Sequence, residues 1–165
     1  LNLSTFIGLH IKAIGKKTSG LLTGSAARDN LDYLFTKSLA DGTAIDTANQ
    51  SYQRESTLPA STSLSLDFAG GTAVYDAFGD AVTFARIKAL YVENSSAVGG
   101  ANITIGGNNG CAGAVTLAPG GVYFVMRPDA TAWPITAETA DTVSITNASG
   151  SLTASYRLIL IGATA

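Results

Sequence analysis

The sequence predicts an all-β protein, an antiparallel β-sandwich of jelly-roll type with an N-terminal arm that contains a short helix. Three observations carry that prediction. From Leu31 onward, short apolar segments recur at a spacing of roughly 8–15 residues, about nine in all, and most alternate apolar with polar side chains as half-buried strands do. Most of the 18 glycines fall between these segments, where the chain must turn. Residues 1–30 break from this pattern in both rhythm and charge.

The totals bound the answer. A chain of 165 residues is long enough for one domain with a real core. Apolar residues make up 46% and charged residues 13%, against an average near 25% for the latter, which excludes a disordered chain. Such a composition suits a compact, turn-rich protein, or one whose surface is covered by neighbours. The net charge of −2 excludes bulk attraction to nucleic acid. Lys12, Lys16, Lys17 and Arg28 against Asp29 alone give residues 1–30 a net charge of +3, so residues 31–165 carry −5. With Cys111 the only cysteine, no intrachain disulfide forms. No apolar run is long enough for a membrane-spanning helix. The opening LNLSTFIGLHIKAIGKK has no basic start and does not read as a signal peptide.

Taken in order, Leu3, Phe6, Ile7, Ile11 and Ile14 recur at spacings of three and four, which predicts a helix over 3–14. Lys12, Lys16 and Lys17 lie near its C-terminal end, where the helix dipole favours cations. Gly15 and Gly20 end it, and 18–30 reads as a linker or strap. The helix either packs on its own domain or serves as an arm that orders on a neighbouring subunit. The division is then 1–30 arm and 31–165 sandwich domain. LDYLFTKSLA and ANQSYQREST read as strands separated by Asp41-Gly42, the second exposed and at an edge. STSLSLDF alternates cleanly, with Leu64, Leu66 and Phe68 inward. In TFARIKALYVEN, Ala85, Ile87, Ala89 and Tyr91 are expected between the sheets, with Arg86 and Lys88 on the other face. NITIG, AVTL and TVSITN alternate in the same way. VYFVMR, after the turn Pro119-Gly120-Gly121, and ASYRLILIG are almost continuously apolar and read as central strands.

Residues for chemistry are sparse. His10 and Cys111 are the only members of their types, so one chain cannot build a zinc site from them or a convincing Ser-His-Asp set. The acids are scattered through loops, and Asp76 and Asp80 in DAFGD lack the ligand density of a calcium loop. The glycine-rich stretch GGANITIGGNNG matches no phosphate-binding pattern. No catalytic, cofactor or metal residue is therefore assigned, and the chain does not read as an enzyme. Trp133, beside Pro134, either caps the core or anchors a subunit contact.

The second half resembles a group of small tailed-bacteriophage virion proteins. The residues that carry the likeness are GGTAVYDAFGDAVTFARIKALYVEN, then NITIGG, then APGGVYFVMRPDATAWPITAETADTVSITN, and the closing YRLILIGATA. The likeness covers about residues 31–165 and rests on the ordered set rather than on one motif. It implies a structural role in the virion: a capsid decoration (cement) protein that binds the major capsid protein as a homotrimer on the head surface, assembled in the bacterial host cytoplasm. No nucleic acid, membrane or cofactor is implied. Phe6, Ile7, Ile11 and Ile14 would then be apolar anchors on the shell, with Lys12, Lys16 and Lys17 meeting acidic shell residues and Trp133 at a subunit contact. A tail or head–tail connector component is the alternative within the virion. Outside it, the alternative is a carbohydrate-binding module using Tyr52, Tyr75 or Trp133.

Overall fold

A computed structural model describes residues 3–18, 26–69, 74–75 and 79–164. Every regular element among them is a β-strand, and every strand pairing is antiparallel. β1 (Thr5–Thr18) and β2 (Ala26–Leu39) form a two-stranded ribbon. The first large sheet takes β3 (Gln50–Leu58), β7 (Arg86–Asn94), β10 (Val122–Met126) and β13 (Ala154–Ala163) in the order β10-β7-β13-β3. The short β11 (Trp133–Pro134) pairs with β7 as its fifth member. The second sheet takes β4 (Thr62–Asp67), β8 (Ile103–Gly106), β9 (Val115–Leu117) and β12 (Thr142–Asn147) in the order β4-β12-β8-β9. The two-residue strands β5 (Val74–Tyr75) and β6 (Ala81–Val82) pair with each other.

One core joins the two large sheets. Tyr52, Leu58, Leu90, Val92, Tyr156, Leu158 and Leu160 come from the first, and Leu66, Ile103, Ile105, Leu117, Val143 and Ile145 from the second. The strict alternation of β12, where Val143, Ile145 and Asn147 are buried, is the sequence pattern made physical. Phe68 and Phe84 meet edge to face at 5.3 Å, closing the core toward β5 and β6.

The expected N-terminal helix is not what the structure has: residues 5–18 are extended and paired with β2. The physical reason lies in the same residues. Ile7, Ile11 and Ile14 are β-branched, and Gly8 and Gly15 interrupt the stretch, so its helical propensity is poor. A three-turn helix would be marginal in water, whereas pairing with β2 satisfies the backbone along its length. β2 begins at Ala26, so part of the expected linker is strand.

A second correction concerns β7. Ile87 packs in the core as expected, but Ala89 and Tyr91 face away from it, and Leu90 and Val92 take their place. The cause is a β-bulge: opposite β13, Ile161 pairs with Ala89 and Gly162 with Ile87, so Lys88 is the extra residue and the two halves of β7 have opposite parity. Gly162 fits here because a Cβ would run into the Arg86 carbonyl and the Phe84 ring. β13 is central as expected, between β7 and β3, and β3 is the edge strand. β10 is not central. It lies at the opposite edge, and none of its five residues is fully buried.

Cys111 is buried next to the loop after β8. Burial pushes its thiol up to about 12, so almost no thiolate forms at neutral pH. The native protein is expected to react with a thiol-specific chromogenic disulfide only at the rate of unfolding, and at once in denaturant. Fast stoichiometric labelling of the native protein would show that Cys111 is open to solvent.

A candidate partner-binding surface

The ribbon has two unlike faces. Residues paired in register point to the same side, so Ile7, Leu9, Ile11 and Ala13 share a face with their partners Lys37, Phe35, Tyr33 and Leu31. Apart from Lys37 these eight residues are apolar. The opposite face carries Phe6, Gly8, His10 and Lys12 with Ser38, Thr36, Leu34 and Asp32. Here His10 Nε2 lies 2.7 Å from the Asp32 carboxylate and Lys12 lies 3.8 Å from it, all well exposed.

Much of the apolar face is open to water. Leu9, Ile11, Leu31 and Tyr33 are 43–53% exposed, and on the other face Phe6 and Leu34 are 69% and 63% exposed. Single exposed apolar residues are ordinary, but a contiguous run on a two-stranded ribbon is not. A hairpin without further partners is marginal in water.

A second apolar surface lies on the first sheet, on the side away from the core. The register aligns Phe124, Tyr91 and Ile159 in one row across β10, β7 and β13, with Met126, Ala89 and Ile161 in the next. A neighbouring row is charged. Arg157 donates to Glu55 Oε2 from Nε at 3.2 Å and to Glu93 Oε2 from Nη1 at 3.1 Å. The Tyr91 hydroxyl donates to the same Glu93 oxygen at 2.9 Å. Burial, and then the bond to Glu93, raises the Tyr91 phenol above its ordinary value. Phe124, Tyr91, Ile159, Ala89 and Ile161 of these rows floor an open groove of about 370 Å³, and Phe6, Ile7, Gly8 and Leu9 of β1 line another side of it.

The ribbon is fastened to the body at its base. Leu39 is fully buried, Lys37 pairs with Asp46 at 2.7 Å, and the Leu3 amide donates to Asp41 at 3.1 Å. The loop after β2 sits over the bulge of β7. The ammonium of fully buried Lys88 donates to the Ala44 carbonyl, and the Arg86 guanidinium donates to the Ala130 carbonyl at 2.6 Å. The Asp46 amide donates to the Pro128 carbonyl at 2.9 Å. Burial, then the positive charge of Arg86, lowers the Lys88 ammonium below its ordinary value.

The residues expected to form the arm contacts are only partly gathered. Phe6 and Ile7 line the groove, Ile11 stands further along the apolar face, and Lys12 is on the opposite face. The side chains of Ile14, Lys16 and Lys17 lie outside the described residues. Trp133 is half-buried, packs against the core from β11, and sits over Gly110, where a Cβ would come within 3.2 Å of its ring. Tyr52 is buried in the core, so it offers no stacking platform. Asp76 lies outside the described residues. Among the described residues no three His, Cys, Asp or Glu side chains cluster as metal ligands would.

Sequence reading missed the groove floor, Tyr91, Phe124, Ile159 and Ile161. The one signal was that VYFVMR is apolar on both of its faces, a pattern that fits a buried strand and a partner-covered edge strand equally. Comparison with protein-family models, curated proteins and solved structures returns no match.

Proposed function

We propose that the protein is a structural component of a tailed-bacteriophage virion: a capsid decoration protein whose two sheets form a jelly-roll-like sandwich and whose ribbon binds the major capsid protein shell. The observation that carries this is the ribbon itself. It is a strand pair with 14 residues in each strand, joined to the body at its base and exposing large apolar residues along both faces. Such an element gains most of its stability on a partner, and binding through backbone and apolar contact needs no catalytic group. The resemblance of the body to small virion proteins supplies the class of partner. The charge division supports it, because a basic arm would be attracted to acidic residues of a shell. Three copies around a local threefold position would bring several arms to the shell at once, so that weak individual contacts add to firm attachment.

Antibody against the chain, applied to phage particles released from cells that express it and viewed in negative stain, is expected to label the whole head surface. Label confined to one vertex or the tail makes it a connector or tail component, and particles without label end the virion reading. On heads that bind the protein, Phe6→Ser combined with Lys12→Glu is expected to lower occupancy at least tenfold. The body's melting temperature should stay the same.

A further inference from the structure

We propose that Asn109 is a self-modification site: it deamidates through the Gly110 amide when β11 opens, and the product keeps Trp133 and Cys111 uncovered. The inference concerns the loop after β8 and does not rest on the virion reading. Asn109-Gly110 is the one asparagine followed by glycine in the chain. With no Cβ beside it, a glycine nitrogen approaches the preceding side-chain amide with the least hindrance.

The fold requires both residues. Asn109 is only 2% exposed. Its Nδ2 lies within donating distance of the Ala140 carbonyl at 2.8 Å and the Pro134 carbonyl at 3.1 Å, and its Oδ1 accepts from the Cys111 amide at 3.1 Å. A short side chain with both donors and an acceptor is needed here, and asparagine supplies it. Gly110 lies beneath the Trp133 ring, where a Cβ would come within 3.2 Å. Packing thus selects each half of a chemically labile pair. The same bonds protect it. Attack requires the Asn109 Cγ to turn toward the Gly110 nitrogen and ammonia to depart. Neither occurs while Nδ2 is held by two carbonyls and water is kept out.

β11 is the weak part of this enclosure. It has two residues, and Pro134 has no amide to donate to β7. Short elements of this kind open locally without global unfolding. Opening withdraws the Pro134 carbonyl from Asn109 and lifts the indole from Gly110. The Gly110 nitrogen then bonds to the Asn109 Cγ, the Cγ–Nδ2 bond breaks, and the Gly110 amide proton leaves with Nδ2 as ammonia. Water opens the resulting imide at Cγ to give aspartate, or at the backbone carbonyl to give isoaspartate. No oxidant or cofactor takes part. Aspartate directs a carboxylate at the Pro134 and Ala140 carbonyls, and isoaspartate adds a methylene to the backbone beneath Trp133. Neither restores the bonds that close β11, so a transient opening becomes permanent. Trp133 and the buried Cys111 are each the only residue of their type, so both report on this one place.

The test uses the full chain, aged in mildly alkaline buffer either native or in urea. Peptide mass mapping counts aspartate and isoaspartate at Asn109. Asn108 is the internal control, because asparagine follows it. In urea Asn109 is expected to convert well ahead of Asn108. In the native protein it should convert about a hundredfold more slowly or less, at a rate set by the open fraction. Trp133→Ala should raise that native rate about tenfold or more. The product, taken from aged protein or made directly as Asn109→Asp, should show red-shifted tryptophan emission and a thiol open to labelling, with its β-sheet circular dichroism retained. Native protein that converts as fast as in urea overturns the proposal, as does a native rate unmoved by Trp133→Ala. So does a product with wild-type emission and a protected thiol, a measurement that aged wild-type protein supplies without any variant.

Discussion

Asn147→Ala is expected to lower the unfolding free energy by about 3 kcal/mol or more, the largest loss from any single polar truncation in the body. Asn147 is completely buried at the end of β12. Its Nδ2 lies within donating distance of the carbonyls of Leu58 at 3.0 Å, Pro59 at 3.1 Å and Leu152 at 2.8 Å. Its Oδ1 accepts from the Ser149 amide at 3.0 Å. One side chain thus ties the end of β3, the turn into β4 and the approach to β13 to a single point in the core. Truncation removes this donor from the buried Leu58 carbonyl and frees the Ser149 amide, while the Pro59 carbonyl keeps the Thr62 hydroxyl at 2.7 Å; each buried group left unsatisfied costs about 1–3 kcal/mol. Asn147→Asp should be at least as damaging, because it directs a carboxylate at the same carbonyls. The exposed Asn102→Ala should change stability by less than about 0.5 kcal/mol. Urea unfolding, with midpoint and slope reported together, measures all three. A wild-type midpoint in Asn147→Ala would mean that the turns hold without this residue.

Asn147 also marks what sequence could not disclose. Its hydrogen-bond partner Leu58 is 89 positions away, and nothing in TVSITN separates this asparagine from a polar residue that ends a strand. Asn94 does the same work at the end of β7, donating to the carbonyls of Ala101 and Leu117, both at 2.9 Å. Where faces alternate without interruption, as in β4, β8 and β12, the pattern alone placed the inward residues. Leu66, Ile105 and Ile145 are where the period of two puts them. The period was misleading at β7, because one extra residue at Lys88 reverses the parity within a single strand. It was ambiguous for β1, because isoleucines at 7, 11 and 14 fit a helical stripe while 7 and 11 also fall on one face of a strand. Of the candidate surface, Phe6, Ile7 and Ile11 stood out in the sequence as apolar residues of the arm, whereas the part on the sheet was legible only as composition: low charge and many apolar residues for a domain of this size. Its location depends on which apolar strand ends at a sheet edge, and that is a property of topology rather than of any local stretch.

Lys88→Glu is expected to cost about 3–5 kcal/mol, a large share of the roughly 5–15 kcal/mol that stabilises an ordinary domain, whereas Lys88→Met should be tolerated. The lysine is fully buried at the bulge and donates to the Ala44 carbonyl, which also accepts from the Thr47 hydroxyl at 2.9 Å. The nearby charges are Arg86, Asp129 and Asp46. Glutamate would direct an anion at a carbonyl with those two carboxylates close by. Methionine keeps the volume and loses one hydrogen bond, but it removes the cost of holding an ammonium out of water. The pH dependence separates these contributions. Burial and Arg86 lower the folded-state pKa of Lys88 below the 10.5 of the unfolded chain. Between those two values the unfolded chain binds more protons than the folded one, so stability contributed by this site rises with pH across the window. Below the folded value the cost of the buried charge is present in full. Tyr91 and Tyr156, both raised by burial, act in the opposite direction near their own range, but they do so in wild type and in Lys88→Met alike. The difference in unfolding free energy, wild type minus Lys88→Met, should therefore climb as pH approaches 10.5. A flat difference would mean that the Lys88 ammonium is solvated in the folded protein and that the loop after β2 is held by its other bonds. The ribbon's attachment would then depend on Leu39 and the Lys37–Asp46 pair rather than on the bulge beneath it.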